Sequence, residues 1–405
     1  MSKIEQGYND YTAEDVRLVC VHFGIEDMPL SEIDCKAFRQ RLYMWRDLMR
    51  DRRLVEAKER MGKMSAVIGL DPFDDDLPVL YRLFEAMLYY YDRSCDGNLA
   101  IFYQKIDALK DYESKMNIEH TYYYEYCLGL VHSPSRFDIA LIHYERAFDV
   151  MKKNRDVLPE YDGKLLHNIA MCYTGLELPH HAIFASKMIS QSYIDKREQS
   201  FGLSVNIRLA LNLAKICRFD FALDLLEKCL VPAKSVDDKV YLASTLYNIG
   251  YTHMLMKSWE EAFKYFNEAL QVFGKDSAYY YWGLYHQIYI KIRHEKHSDA
   301  RKLLAHAKAT NPSDKIPFIS LEHYLSVSKR MKSHYDYNKE ALEYIENVTI
   351  PYFMSIHGNM EATNYCNLLE EYYENKTHRK FLTMAKIKSE IYNKMLFHNQ
   401  GGDPL

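Results

Sequence analysis

The sequence predicts an all-α protein: helical hairpins stacked into a right-handed solenoid, preceded by an N-terminal helical bundle. Three observations predict it. Gly (15) and Pro (11) are scarce in a chain of 405 residues, which disfavours a turn-rich β fold. A motif of one small and one apolar residue recurs at a nearly constant interval. A second small residue often stands seven places on, the spacing that keeps positions on one helix face. Apolar residues are 48% and charged residues 27%, a globular rather than disordered balance.

Residues 1–36 form a first, short segment. Val16–Ile25 has the pattern of a helix ending in a glycine turn, and Pro29 interrupts the next helix. Residues 37–118 read as the bundle. Apolar residues at helical spacing run from Ala37 to Met49 and from Leu54 to Met61, and a third helix spans about Leu77 to Asp92. The Gly69-Leu70-Asp71-Pro72 stretch separates the last two. Asp71, Asp74, Asp75 and Asp76 lack the spacing of a calcium loop and fit the acidic entry of a helix.

Residues 119–396 carry the repeat, and 397–405 are a tail. The anchors are Ala140-Leu141, Ala182-Ile183, Ala222-Leu223, Ala262-Phe263, Ala300, Ala341-Leu342 and Phe381-Leu382, at intervals of 42, 40, 40, 38, 41 and 40. Ala147, Cys229, Ala269 and Ala307 stand seven places later. A second amphipathic segment precedes each anchor, with small residues (Ala170, Ala210, Gly250) twelve places back. Polar turns such as His132-Ser133-Pro134-Ser135, Lys257-Ser258 and His297-Ser298-Asp299 divide the two segments. Such a unit cannot bury its apolar face alone and stacks on its neighbours.

The segment from Leu246 to Tyr251, with Ser258-Trp259-Glu260-Glu261-Ala262-Phe263 after it through Phe266 to Ala269-Leu270, resembles a tetratricopeptide repeat. The period is longer than the usual ~34 residues. Repeats of this length resemble the Rap, NprR and PlcR peptide-sensing regulators of Gram-positive bacteria. Thr121–Gly129 with Asp138–Tyr144 is similar to the first Rap repeat, and Tyr344–Phe353 with Tyr365–Tyr373 to the Rap C-terminal end. The resemblance spans about residues 40–396. It implies a cytoplasmic regulator that binds a short linear oligopeptide and controls how the bundle engages a protein partner, a response regulator or a transcription factor.

Fourteen places before the anchors stand Tyr126, Asn168, Arg208, Asn248, His286, Val327 and Asn367. In a solenoid this column faces the groove lined by the first helix of each hairpin. A carboxamide both donates to and accepts from a peptide backbone, and apolar or aromatic neighbours can read side chains. The predicted peptide-binding residues are therefore Asn168, Arg208, Asn248, Tyr251, His286, Tyr289 and Asn367. The resemblance points the same way, since groove asparagines clamp the peptide in Rap and NprR. The competing reading is that these asparagines tie helix to helix. The 35 tyrosines carry the same ambiguity between groove and packing.

The resemblance also implies two alternatives. Phosphatase members use a Gln on the third bundle helix to hydrolyse an aspartyl phosphate; Tyr90 falls near that place, and no Gln lies between Leu42 and Tyr103. DNA-binding members carry an N-terminal helix-turn-helix; between Met1 and Cys35 only Lys3 and Arg17 are cationic, few for phosphate contacts. A net charge of −4 argues against a general nucleic-acid or anionic-membrane binder. No run approaches the ~20 apolar residues of a membrane span, and no signal peptide is evident. Eight widely spaced cysteines with no CxxC pair suggest reduced thiols and no zinc site. His294-Glu295-Lys296-His297 is one residue short of the zinc-protease spacing. No catalytic residue, metal or cofactor is assigned, and a homodimer is left open.

Overall fold

In the computed structural model the chain is helical, with no strand among the described residues. These are residues 32–397 apart from 69–75, 93–96, 134–135, 159–162, 190–198, 237–238, 311–314, 331–338, 375–377 and single positions at 52, 157 and 276. The expectations for residues 1–31 and for the tail after Phe397 lie outside them. The chain divides at Leu165/Leu166 into two compact units.

The first unit opens with α1 (Glu32–Arg50), α2 (Leu54–Ile68) and α3 (Asp76–Tyr91), close to the three expected helices. Trp45 anchors them: it is buried, its Nε1 donates to the Ala57 carbonyl at 2.8 Å, and its ring stacks on Tyr81. Trp45→Ala is expected to cost about 3–5 kcal/mol, read as a lower urea midpoint. Asp76 begins α3, where its charge meets the helix's positive end. It accepts from Arg39 and Asn117 and pairs with His120 at 3.1 Å, so this acid serves helix entry. Among the described residues no group of three or more metal-ligating side chains occurs. Tyr90 packs edgewise against Tyr91 and also against Phe102.

After α4 (Asn98–Asp107) and a 3-10 turn (Lys110–Lys115), α5 (Ile118–His132) and α6 (Phe137–Lys153) form a hairpin. Gly129 permits its close approach: a Cβ there would overlap the Tyr144 ring, standing 2.7 Å from Cζ. Ala140, Tyr144 and Ala147 are all fully buried, so the small residues of the stripe seat the neighbouring helix.

The second unit is a solenoid of hairpins. It pairs α7 (Gly163–Gly175) with α8 (Pro179–Lys187), α9 (Gln199–Lys215) with α10 (Phe219–Ser235), α11 (Lys239–Leu255) with α12 (Trp259–Val272), and α13 (Ala278–Arg293) with α14 (His297–Ala309). The turns share one geometry. Glu177, Cys217, Lys257 and Glu295 take φ of 58–62°, and the next N–H returns to a carbonyl five residues back: Leu178 to Tyr173, Arg218 to Leu213, Ser258 to His253 and Lys296 to Lys291, at 2.8–2.9 Å. This is the Schellman arrangement, here with a side chain at the left-handed position. The third of these turns matches the expected Lys257-Ser258. The fourth lies at His294–Lys296, so His297-Ser298-Asp299 begins α14 instead of making the turn.

The stripe holds along the array. Ala222, Leu226 and Cys229, then Ala262, Phe266 and Ala269, then Ala300, Leu304 and Ala307 are buried. The register then slips. After α15 (Ile316–Arg330) comes a continuous helix made of α16 (Lys339–Tyr344), a π turn (Ile345–Thr349) and α17 (Ile350–Ser355). Ala341, Ile345 and Thr349 are fully buried there, a 4-and-4 spacing where the other copies have 4 and 3. The π turn inserts one residue and keeps the stripe inward; Thr349 Oγ1 donates to Ser320 Oγ across the seam at 2.9 Å. A fifth Schellman turn, at His357 (φ 58°), joins α17 to α18 (Asn359–Tyr373). There Ala362, Cys366 and Leu369 repeat the 4-and-3 stripe, only 21 residues after Ala341. The final helix α19 (His378–Phe397) buries Met384 and Ile391; Leu382 of the expected last anchor is exposed. Cys127, Cys172, Cys229 and Cys366 are buried as small apolar residues, whereas Cys217 is exposed in its turn. No helix among the described residues is long and apolar enough to cross a membrane.

Candidate functional site

Six of the seven predicted residues lie on the first helices of successive hairpins: Asn168 on α7, Arg208 on α9, Asn248 and Tyr251 on α11, and His286 and Tyr289 on α13. Asn168 is half-buried, next to the fully buried Ile169. Asn248 is buried; its Nδ2 donates to the Ser244 carbonyl one turn back at 2.7 Å. One of the two N–H donors of this carboxamide is therefore spent on its own helix, and the other donor and the carbonyl oxygen are left.

His286 joins the middle hairpins. Its Nε2 shares a hydrogen bond with Tyr247 Oη at 3.0 Å, and its ring stacks on Phe266. Burial pushes its pKa down to about 3, so the ring is neutral. Tyr247 and Tyr251 lie nearly parallel, with ring centres 6.5 Å apart. Tyr289 packs edgewise on Tyr324, whose hydroxyl is 3.5 Å from Arg293.

Arg208 is a different kind of residue. It is half-buried, its Nε is sealed from water without an acceptor, and no carboxylate stands among the groups that act on it. Desolvation lowers its pKa, with Tyr279 and Cys172 as the nearby ionisable groups. Among the described residues this guanidinium has no carboxylate counter-ion.

Asn367 stands apart. It is exposed on α18, and its Oδ1 accepts from Lys388 of α19 at 3.2 Å, beside the Lys388–Glu370 pair. The physical reason is the register slip: the inward residues of α18 are set by its own stripe, so counting back from Phe381 lands on another face.

On α18 the residue whose charge reaches two of the other six, Tyr251 and Tyr289, is Glu361. Its charge acts on Tyr247, Tyr251, Tyr285, Tyr289 and Tyr365. Desolvation first, then repulsion from Glu177, pushes its pKa up to about 7. Glu361, Arg208 and Tyr247 are half-buried, and burial is the first cause of the pKa shift of each. Glu177 and Lys215 act on Glu361, and Glu361 acts on Tyr247 and Tyr251, so hairpins distant in sequence influence one another electrostatically. The signal for Glu361 in the sequence is the Ala362-Cys366-Leu369 stripe directly after it.

Asn212 shows the competing role of asparagine. It is fully buried, and its Nδ2 donates to Thr174 Oγ1 at 2.8 Å and to the Arg208 carbonyl at 2.9 Å, tying α9 to α7.

No protein-family model matches the chain, and no curated protein matches it in sequence. Solved structures do. A Rap protein complexed with competence and sporulation factor superposes with a TM-score of 0.71 at 14% identity, over 89% of this chain and 99% of that one. The apo quorum sensor NprR from B. thuringiensis gives 0.68 at 20% identity, over 89% and 99%. NprR in complex with its cognate peptide NprX gives 0.68 at 19% identity, over 90% and 100%. This chain has the Rap and NprR fold. The likeness covers nearly the whole of those chains while few residues are shared, as expected where hairpin stacking depends on stripe pattern more than on residue identity.

Proposed function

We propose that this protein is a cytoplasmic peptide sensor: a short linear oligopeptide lies along the inner wall of the second unit and changes how the N-terminal bundle engages a protein partner. The observation that carries this is the file of polar side chains on successive first helices, led by the half-buried and unsatisfied Arg208. Arg208 offers its guanidinium to a ligand carboxylate. Asn248 offers its free carbonyl to a backbone N–H. Asn168 extends the same file, and Tyr251, His286 and Tyr289 give apolar and aromatic surface for side chains. Peptide complexes of Rap and NprR with the same fold support the reading.

Repeats touch only their neighbours, so small rotations between hairpins add along the array. A peptide that favours one pitch shifts the equilibrium between pitches. The bundle's partner is a response regulator or a transcription factor. Tyr90, at the place of a phosphatase Gln, is engaged in ring packing, and its phenol does not favour the phosphatase reading.

Random pentapeptides selected on the immobilised protein should yield binders that raise its melting temperature by mass action. With a selected peptide, Asn248→Ala is expected to weaken affinity about fivefold, the worth of roughly one hydrogen bond of ~1 kcal/mol, with the helical circular-dichroism signal unchanged. Unaltered affinity in titration calorimetry would remove Asn248 from the wall.

A further inference from the structure

We infer that the solenoid has a built-in joint: the block α11–α19 turns against α9–α10 at the seam between α10 and α11, with Ile249 as the pivot. Its use rests on the peptide-sensor reading, because Arg208 on α9 and Asn248 on α11 stand on opposite sides of that seam. The joint itself does not rest on that reading and is tested without a ligand.

The seams on either side are tied by polar or aromatic groups. Between α7–α8 and α9, His167 Nε2 and Ser204 Oγ share a hydrogen bond at 3.0 Å, Asn212 Nδ2 donates to Thr174 Oγ1 at 2.8 Å, and Lys215 Nζ holds Glu177 at 2.6 Å. These rungs run from the first half of α7 to the turn after it. Between α11–α12 and α13, His286 bonds Tyr247 and stacks on Phe266. Rings continue the lock through Tyr289, Tyr324, Tyr365 and Phe353. Interdigitated rings resist sliding, because each must leave a fitted place to move.

The seam between them is built differently. Thr245, Ile249 and Thr252 are fully buried and share one face of α11 at a 4-and-3 spacing. Ile249 belongs to the core of α9 and α10, so this face is turned to them. The flanking hydroxyls are satisfied within their own helix: Thr245 Oγ1 donates to the Tyr241 carbonyl at 2.7 Å, and Thr252 Oγ1 to the Asn248 carbonyl at 2.8 Å. Rotation at the seam breaks neither bond, and the threonines present their methyl groups. The core of α9 and α10 is small and aliphatic, with Ala210, Ala214, Leu226 and Cys229 among its buried members and no ring. Among the described residues, Ile249 is the one buried apolar side chain that crosses from the block into that core. The rest of the contact runs through half-buried side chains, Leu211 and Leu230 on one side and Leu242, Leu255 and Tyr265 on the other. Smooth faces around a single knob slide readily, and a half-buried rim gives up little apolar burial when it shifts. Rotations along the array are thus concentrated at one place, and a ligand that reaches Arg208 and Asn248 together sets the angle.

The test uses paired nitroxide labels carried on p-acetylphenylalanine, which leaves the cysteines untouched. They are placed at Phe184, Asp224, Lys264 and Lys302, exposed positions that each stand two residues after an anchor alanine. Dipolar spectroscopy on the full-length unliganded protein then reads three successive seams. The Asp224/Lys264 distance distribution should be about twice as wide as those of Phe184/Asp224 and Lys264/Lys302, as for two rigid bodies meeting at a joint. Ile249→Ala should widen the Asp224/Lys264 distribution alone. Equal widths at the three seams, or a greater width at either neighbouring seam, would overturn the joint and leave the peptide sensor standing. An Ile249→Ala effect that is absent or spread over all three would overturn the pivot. Failure to select any peptide would remove the sensor and leave the joint standing. Matching circular-dichroism spectra establish that Ile249→Ala is folded, and the wild-type widths decide the joint without it.

Discussion

Arg208→Met should make the protein more stable and a weaker binder. Arg208 sits on α9 with its Nε sealed from water, and among the described residues it has neither an acceptor for that Nε nor a neighbouring carboxylate. A buried polar group with no partner costs about 1–3 kcal/mol relative to a satisfied one. Exchanging it for an apolar side chain of similar length keeps the stem's packing and removes that cost. A gain of about 1 kcal/mol is expected, or roughly 2–4 °C for a unit of this size. The same change removes the guanidinium from the ligand's carboxylate. Loss of one partner of a desolvated charge pair typically costs 2–5 kcal/mol, so affinity for a selected peptide should fall at least thirtyfold. Stability and function then move in opposite directions, as they do where a site is held ready for an absent partner. A melting temperature that falls in Arg208→Met would mean that the guanidinium is a structural group.

Gly129→Ala should be the most damaging small substitution in the first unit. In the middle of a helix this exchange ordinarily stabilises by about 1 kcal/mol, because alanine gives up less backbone freedom. Here the new methyl group would occupy the space of the Tyr144 ring. Tyr144 is fully buried between Ala140 and Ala147, so it has nowhere to turn. Overpacking by a single group costs ~1–3 kcal/mol in ordinary cores, and direct overlap with a fixed ring sits at or above the top of that range. A net loss of about 3 kcal/mol is expected in denaturant unfolding. Gly62→Ala on α2 is the control, since a Cβ there meets nothing within 4 Å; it should gain a few tenths of a kcal/mol up to ~1. Equal behaviour of the two variants would show that α5 and α6 do not approach as closely as the structure has them.

Much of this architecture can be read from the chain, because its rules are local. The helices arise from apolar spacing and from the scarcity of breakers. The hairpins arise from the recurrence of a small residue where a helix must come close, and every such anchor from Ala140 to Ala341 is fully buried. Arg208, Asn248, Tyr251, His286 and Tyr289 could be proposed for the inner wall because one hairpin predicts the facing of the next. Asn367 could not, because that inference extends only while the register holds. One extra residue in the π turn at Ile345–Thr349 ends it.

The sequence by itself determined the fold class, the repeat and the family of side chains available to the wall. Only the tertiary structure decided which of them are unpaired. Pairing depends on partners 30 or more residues away: Lys215 takes Glu177, Tyr247 takes His286, and Glu361 has no ion-pair partner among the described residues. Periodicity specifies which face a side chain occupies, but not whether another helix delivers its complement, and electrostatic energy depends on that second fact.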